Sequence, residues 1–189
     1  ARSLARQIRD DFPLGPELTL RLARALRRQN PAPPVGARLL TAAIYLNRDL
    51  ITNAQELVDG VLEEEPTHVD ALFLAAQIDL RRGRIERTRR TLRQVLAQTP
   101  DSASAHHLMG MASRRANRPK QAVEHFARAA ELGPGTGRSH YHHGMALLTT
   151  GRLEEAEAVL QRAAARLSDP HEAYTRLGTI VYERKDYEQ

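Results

Sequence analysis

Cysteine and tryptophan are both absent from the 189 residues, and aromatic side chains make up only 4%. Without cysteine there is no disulfide, no thiol nucleophile and no Cys-ligated zinc. Scarce aromatics argue against a sheet-built core, which draws on aromatic and β-branched residues. Lysine is nearly missing as well: of 28 basic residues only Lys120 and Lys185 are not arginine. That bias fits GC-rich coding, or a surface selected for carboxylate or phosphate recognition, which Arg performs better than Lys. No run of about 18 apolar residues occurs, so no membrane span is expected. The most apolar stretch, Ala71 to Ile78, is short and contains Gln77. Neither HExxH nor a phosphate loop ending in GK[ST] is present, and no Ser, Thr or carboxylate set has catalytic spacing. Gly133-Pro-Gly135-Thr-Gly137 looks like a phosphate loop only in its glycines and reads as a flexible connection. No enzyme activity, cofactor or metal is therefore expected. The compartment stays open between cytoplasm and bacterial periplasm. No signal peptide opens the chain, and its first residue, Ala1, reads as the start of a processed or excised chain.

What is present is alanine, leucine and a strict period. Apolar residues make up 41%, enough to bury a core. Small residues recur every 34 positions at Ala42, Ala76, Gly110, Gly144 and Gly178. Prolines keep the same interval at Pro66, Pro100 and Pro134, with Pro170 just past the next slot. A second small series is Ala54, Thr88, Ala122 and Ala156. A larger apolar series is Val58, Leu92, Phe126 and Leu160, and a further set is Val61, Val95, Ala129 and Ala163. Each series has a physical reason. A small residue on a first helix lets a second helix approach closely, and the large apolar residues fill the space between hairpins. Gly83, Asn117 and Gly151 fall where the first helices should end, since Gly and Asn tolerate the left-handed conformation. Proline closes the second helix because it cannot continue it.

This pattern resembles the tetratricopeptide repeat. The nearest stretch is Tyr174-Thr-Arg-Leu177-Gly178-Thr-Ile-Val-Tyr182 through Asp186-Tyr187. Met109-Gly110 with Ala122, Phe126 and Pro134 is close behind. The resemblance implies an all-α, right-handed superhelical solenoid of stacked antiparallel hairpins. The units are 35–68, 69–102, 103–136 and 137–170, with a partial fifth at 171–189. Residues 1–34 read as a degenerate N-terminal hairpin. The chain stops at Gln189, before the fifth unit's second helix, which implies a fragment boundary or a capping helix. The departures are Arg38 and Thr41 where larger apolar groups are usual, Asp79 in place of an aromatic, and His143 in place of Leu.

In this family first helices line a concave groove. The resemblance therefore places Phe73, Gln77, Arg81, His107, Met111, Arg114, Arg115, Arg138, Tyr141 and Met145 along it. Aromatics and Met give adaptable apolar contact, and Arg forms bidentate bonds to carboxylates. The expected partner is a peptide or protein with acidic and apolar residues. Some members hold chaperone tails with a Lys and Asn set. Phe73, His107 and Tyr141, with Gln77, Met111 and Met145, stand in the corresponding places, so that version is not expected.

Seven arginines lie between Arg81 and Arg93 against one acid, Glu86. No aromatic is interleaved for base stacking, so nucleic acid is not the expected partner. The preceding acidic stretch, Glu56 to Glu65, suggests ion pairing between neighbouring hairpins. His106, His107, His140, His142 and His143 cluster on two successive first helices. They lack metal spacing and read as packed rings, with a pH-sensitive groove as the sharper alternative. The leading reading is a non-enzymatic scaffold. The alternatives are the recognition module of a larger enzyme of sulfotransferase or glycosyltransferase type, or an assembly factor for bacterial envelope or exopolysaccharide export.

Overall fold

The computed structural model describes residues 33–133 and 137–187. Residues 1–32 of the hairpin expected over residues 1–34 thus lie outside the described residues, as do Pro134 and Gly135. Nine α-helices are described: α1 Val35–Asn47, α2 Ile51–Glu64, α3 Val69–Arg81, α4 Ile85–Gln98, α5 Ala103–Arg115, α6 Pro119–Leu132, α7 Gly137–Thr149, α8 Leu153–Ala164 and α9 His171–Tyr187. They follow one another as helical hairpins, the arrangement the 34-residue period predicts. Contacts divide the chain into two units, residues 1–95 and 96–189.

Four turns show why the period holds. Asp49, Gly83, Asn117 and Gly151 all have positive φ, between 55° and 74°. Each is followed by an amide that donates back five residues: Leu50 to the Tyr45 carbonyl, Arg84 to Asp79, Arg118 to Ser113 and Arg152 to Leu147. This is the Schellman pattern, which satisfies carbonyls left open at a helix end. Three of the four left-handed residues were expected. Asp49 completes the set, because a short polar side chain also tolerates that conformation. Helix starts are marked less uniformly. Ser102 Oγ accepts from the Ala105 amide and the His68 ring from that of Ala71, while Pro119 opens α6.

In the first unit α1 packs on α2, and α3 packs on both. Leu39, Leu46, Val58, Val61 and Ile78 are buried at their centre. The two odd residues of α1 are accommodated separately. Thr41 is buried, and its hydroxyl donates to the Ala37 carbonyl at 2.8 Å. The Arg38 guanidinium spans to Glu64 of α2, with Nη1 donating to Oε1 at 2.8 Å. That bond holds the Glu64 carboxyl below its ordinary range.

Asp79 is only 3% exposed. Arg84 Nη1 lies 3.4 Å from its Oδ1, and Arg87 Nε lies 3.0 Å from its Oδ2. The slot expected to hold an aromatic ring is therefore a carboxylate closed by two guanidiniums from the start of α4. Pairing between hairpins runs through Arg81 to Asp49 at 3.1 Å and Arg82 to Gln55 at 3.2 Å. Much of the basic run is thus used inside the first unit, on Asp49 and Asp79 as well as on the acidic helix.

In the second unit α5 pairs with α6, α6 packs on α7, α7 on α8, and α8 on α9. Phe126, Leu147, Leu160 and Ile180 are fully buried. Gly110 and Gly144 serve close approach, as expected, whereas Gly178 of the same series has nothing within 4 Å of where a Cβ would lie. A Cβ on Gly110 would fall 2.7 Å from the Phe126 ring, and one on Gly144 would fall 2.6 Å from Leu160 Cγ. No helix among the described residues is long and apolar enough to cross a membrane.

Candidate peptide-binding site

The residues expected to line a groove divide between the two units. In the first, Phe73 and Gln77 are half-buried on α3. Arg81 Nη1 donates to the Leu46 carbonyl at 2.7 Å and to Asp49 Oδ1 at 3.1 Å. Its charge thus sits at the C-terminal end of α1, where the helix dipole favours a cation.

The second unit gathers more chemistry. His107 of α5 packs against Phe126 of α6, ring centroids 5.4 Å apart and edge to face. It also meets His142 of α7 at 5.1 Å. His142 stacks on Phe126 at 5.5 Å and 22°, and Tyr141 meets His142 at 5.5 Å. Met111 and Tyr141 pack against the buried cluster of this unit, and Met145 is half-buried beside them on α7. His107 is therefore a packed ring as well as a candidate contact. His142 was not expected among the groove residues. One repeat earlier its position holds Leu108, and a histidine in an otherwise apolar slot is the signal that could have found it.

Burial pushes the His107 ring down to about 4, and the nearby Arg138 and Arg114 guanidiniums add to the shift. Burial likewise lowers His142 to about 4, followed by His107, Arg114 and Arg138. Both imidazoles are neutral at pH 7. The Arg114 and Arg138 side chains themselves are exposed, and their guanidiniums make no hydrogen bond or ion pair among the described residues. Arg115, by contrast, is engaged. The result is a surface of neutral rings and thioethers flanked by two available cations. It can accept carboxylates and apolar side chains together.

A cleft of about 360 Å³ opens at one end of this surface. Arg138, Tyr141 and His142 form one side, and Leu167, Asp169 and Glu172 the other.

The other clustered histidines, His106, His140 and His143, behave as packed groups. His106 bonds the Pro100 carbonyl at 3.0 Å through Nε2 and meets His125 Nδ1 at 3.2 Å. His140 is buried, and burial lowers His143. Among the described residues no three His, Asp or Glu side chains converge as a metal site.

A family model of the tetratricopeptide repeat matches residues 37–112 and 114–188. Several solved structures share the fold. MamA from Desulfovibrio magneticus RS-1, from its residue 41 to the end, is 21% identical with a TM-score of 0.66, over 85% of this chain and 88% of that one. TTC0263, a thermophilic TPR protein of Thermus thermophilus, is 17% identical with a TM-score of 0.67, over 89% and 100%. YrrB, described as a TPR protein with an unusual peptide-binding site, is 16% identical with a TM-score of 0.67, over 90% and 86%. At these identities the likeness is one of fold. No curated protein sequence matches the chain. Proteins with this repeat generally act as protein-interaction scaffolds. With 34-residue hairpins, left-handed caps in register and the match spanning both halves, the chain belongs to the tetratricopeptide repeat family.

Proposed function

We propose that the chain is a non-enzymatic scaffold that binds an acidic, partly apolar peptide across α5 and α7. The observation that carries this reading is the pair Arg114 and Arg138. Both are exposed and without a partner among the described residues, and both lie close enough to His107 and His142 to lower their affinity for protons. Neutral rings and Met111 and Met145 supply adaptable apolar contact between the two charges. A carboxylate placed against either guanidinium gains a charge-assisted bond without breaking an existing ion pair.

The test is a titration of labelled peptides rich in Glu, Leu and Tyr, followed by fluorescence anisotropy. Arg114→Glu combined with Arg138→Glu removes two charge-assisted contacts of about 1.5–3 kcal/mol each. We expect affinity to fall at least about 30-fold, with steep salt dependence in the parent protein. An unchanged affinity in the double variant would place peptide binding elsewhere.

A further inference from the structure

Arg138 and Glu172 line the same cleft, yet neither makes an ion pair or hydrogen bond among the described residues. Opposite charges that share a cleft and stay unpaired leave room for a ligand carrying both signs. Between them the wall is mixed: two aromatic rings and Leu167 stand beside the polar Ser168 and Asp169. Tyr141 and His142 present ring edges and faces, His142 is backed by the stacked Phe126, and Leu167 closes the other side. The His142 ring is held from behind, because Phe126 is fully buried and packed between the Gly110 backbone and the two histidine rings. The far rim is also held in place: Asp169 Oδ1 accepts from the His171 amide at 3.1 Å, which ties the connecting segment to the start of α9.

Size narrows the occupant. Ligand pockets commonly run from about 300 to 1,000 Å³. At about 360 Å³ this cleft suits one large side chain rather than a run of several. An aromatic side chain is the best match, since it offers about 150–250 Å² of contact and packs edge to face or offset on Tyr141 and His142. A purely acidic ligand would satisfy Arg138 but meet Asp169 and Glu172 with like charge. A purely basic one would meet Arg138.

We propose that the cleft receives one aromatic residue of the partner, flanked by an acidic residue that pairs with Arg138 and a basic residue that pairs with Glu172. This assignment rests on the peptide-binding reading above and adds a sequence requirement to it: acid, aromatic, base. The groove supplies general acidic and apolar recognition, and the cleft supplies the register.

The protein contains no tryptophan, so a peptide's own indole reports its surroundings without background. The experiment titrates the protein into a peptide with a Glu-Trp-Lys core and reads the indole emission. Peptides with Glu-Ala-Lys and Glu-Trp-Glu cores compete in parallel. We expect a blue shift on binding, a loss of at least tenfold in affinity for Glu-Ala-Lys, and a weaker Glu-Trp-Glu complex. Glu172→Lys, an exposed change, should reverse the preference between Glu-Trp-Lys and Glu-Trp-Glu. Equal affinities of the Trp and Ala peptides would overturn the aromatic cleft. A Glu172→Lys variant with unchanged preference would overturn the charge assignment. If these failures occur while Arg114→Glu with Arg138→Glu still abolishes binding, the groove reading stands and the cleft assignment alone falls. If no peptide binds at millimolar concentration, both fall.

Discussion

Alanine at Gly110 or Gly144 should lower the stability of the second unit, while alanine at Gly178 should raise it. The three positions are equivalent in the repeat and all are helical, so each substitution gains about 1 kcal/mol of helix propensity. What separates them is the space beside the backbone. At Gly110 the new methyl would sit 2.7–2.9 Å from three ring carbons of Phe126, which is fully buried and cannot swing away. At Gly144 it would sit 2.6 Å from Leu160 Cγ, on another fully buried side chain. Forcing a methyl into such a site costs about 1–3 kcal/mol or more; at contacts this short the upper part of that range applies, and after the propensity gain the net destabilisation is up to about 2 kcal/mol. At Gly178 nothing lies within 4 Å, and the propensity gain of about 1 kcal/mol stands alone. Urea denaturation of the three single variants decides the matter. A common sign at all three positions would show that the close approach of the hairpins is not what the small residues serve.

Acid should weaken the second unit well before the carboxylates titrate. His107 and His142 hold their protons only below about 4 in the folded chain, against an ordinary value of 6.5. Above pH 6.5 both rings are neutral in either state, and their full contribution to stability is present. As pH falls from 6.5 towards 4, the unfolded chain takes up protons that the folded chain excludes, and that contribution is lost. Each ring changes stability by about 1.4 kcal/mol per pH unit within the window, so the pair lowers it on the order of 3 kcal/mol between pH 7 and pH 5. Against the total of about 5–15 kcal/mol typical of a domain, that is a large share. The cause is visible in the packing. A protonated ring would carry its charge between Phe126 and its partner histidine, beside Arg114 and Arg138. The buried His142 Nδ1 has no hydrogen-bond partner among the described residues, so a proton there would be unsatisfied. Glu64 and Glu155 are held below 4.5 by their arginines, so their windows lie under that of the histidines. Urea midpoints measured from pH 7.5 to 5 should fall steeply in the parent protein. His107→Leu with His142→Leu should flatten the profile apart from the smaller share of His143. An equally steep decline in the double variant would assign the acid sensitivity to other groups.

The hairpin pattern was legible because it depends on spacing and side-chain size, which a sequence states directly. Ala42, Ala76, Gly110 and Gly144 could be read as contact points from their interval alone, and Gly83, Asn117 and Gly151 as helix ends from their chemistry. Asp49 was harder, because aspartate is common at many positions and only its place in the register marks it. The site was less legible than the fold. Whether an arginine is free depends on which carbonyls and carboxylates lie within its reach, and these come from other helices. Arg81 is drawn to the Leu46 carbonyl and Asp49, while Arg114 is left open, although the two residues look alike in the sequence. Asp79 was visible as a misfit in an aromatic slot. That Arg84 and Arg87 turn back to close over it depends on the tight left-handed turn at Gly83. His142 could be read as a packed ring of the histidine cluster but not as a groove residue, for a similar reason. Its role comes from Phe126 on a different helix, and ring stacking has no sequence interval of its own.

The open space beside Gly178 bears on how the helices come apart. α9 rests on α8 through Ala173 and Ile180, which are buried, while Tyr174, Val181 and Tyr182 face outward at 47–68% exposure. Lifting it would uncover little apolar area compared with lifting α7, which is gripped by helices on both sides. Local opening is least costly where few buried contacts must break. In the 189-residue chain, amide hydrogens of α9 should therefore exchange with solvent through small excursions, while those of α7 should wait for the cooperative opening of its neighbours. Protection in this chain should rise from α9 towards α7, a gradient set by how many sides of each helix are covered and not by the helix sequences themselves.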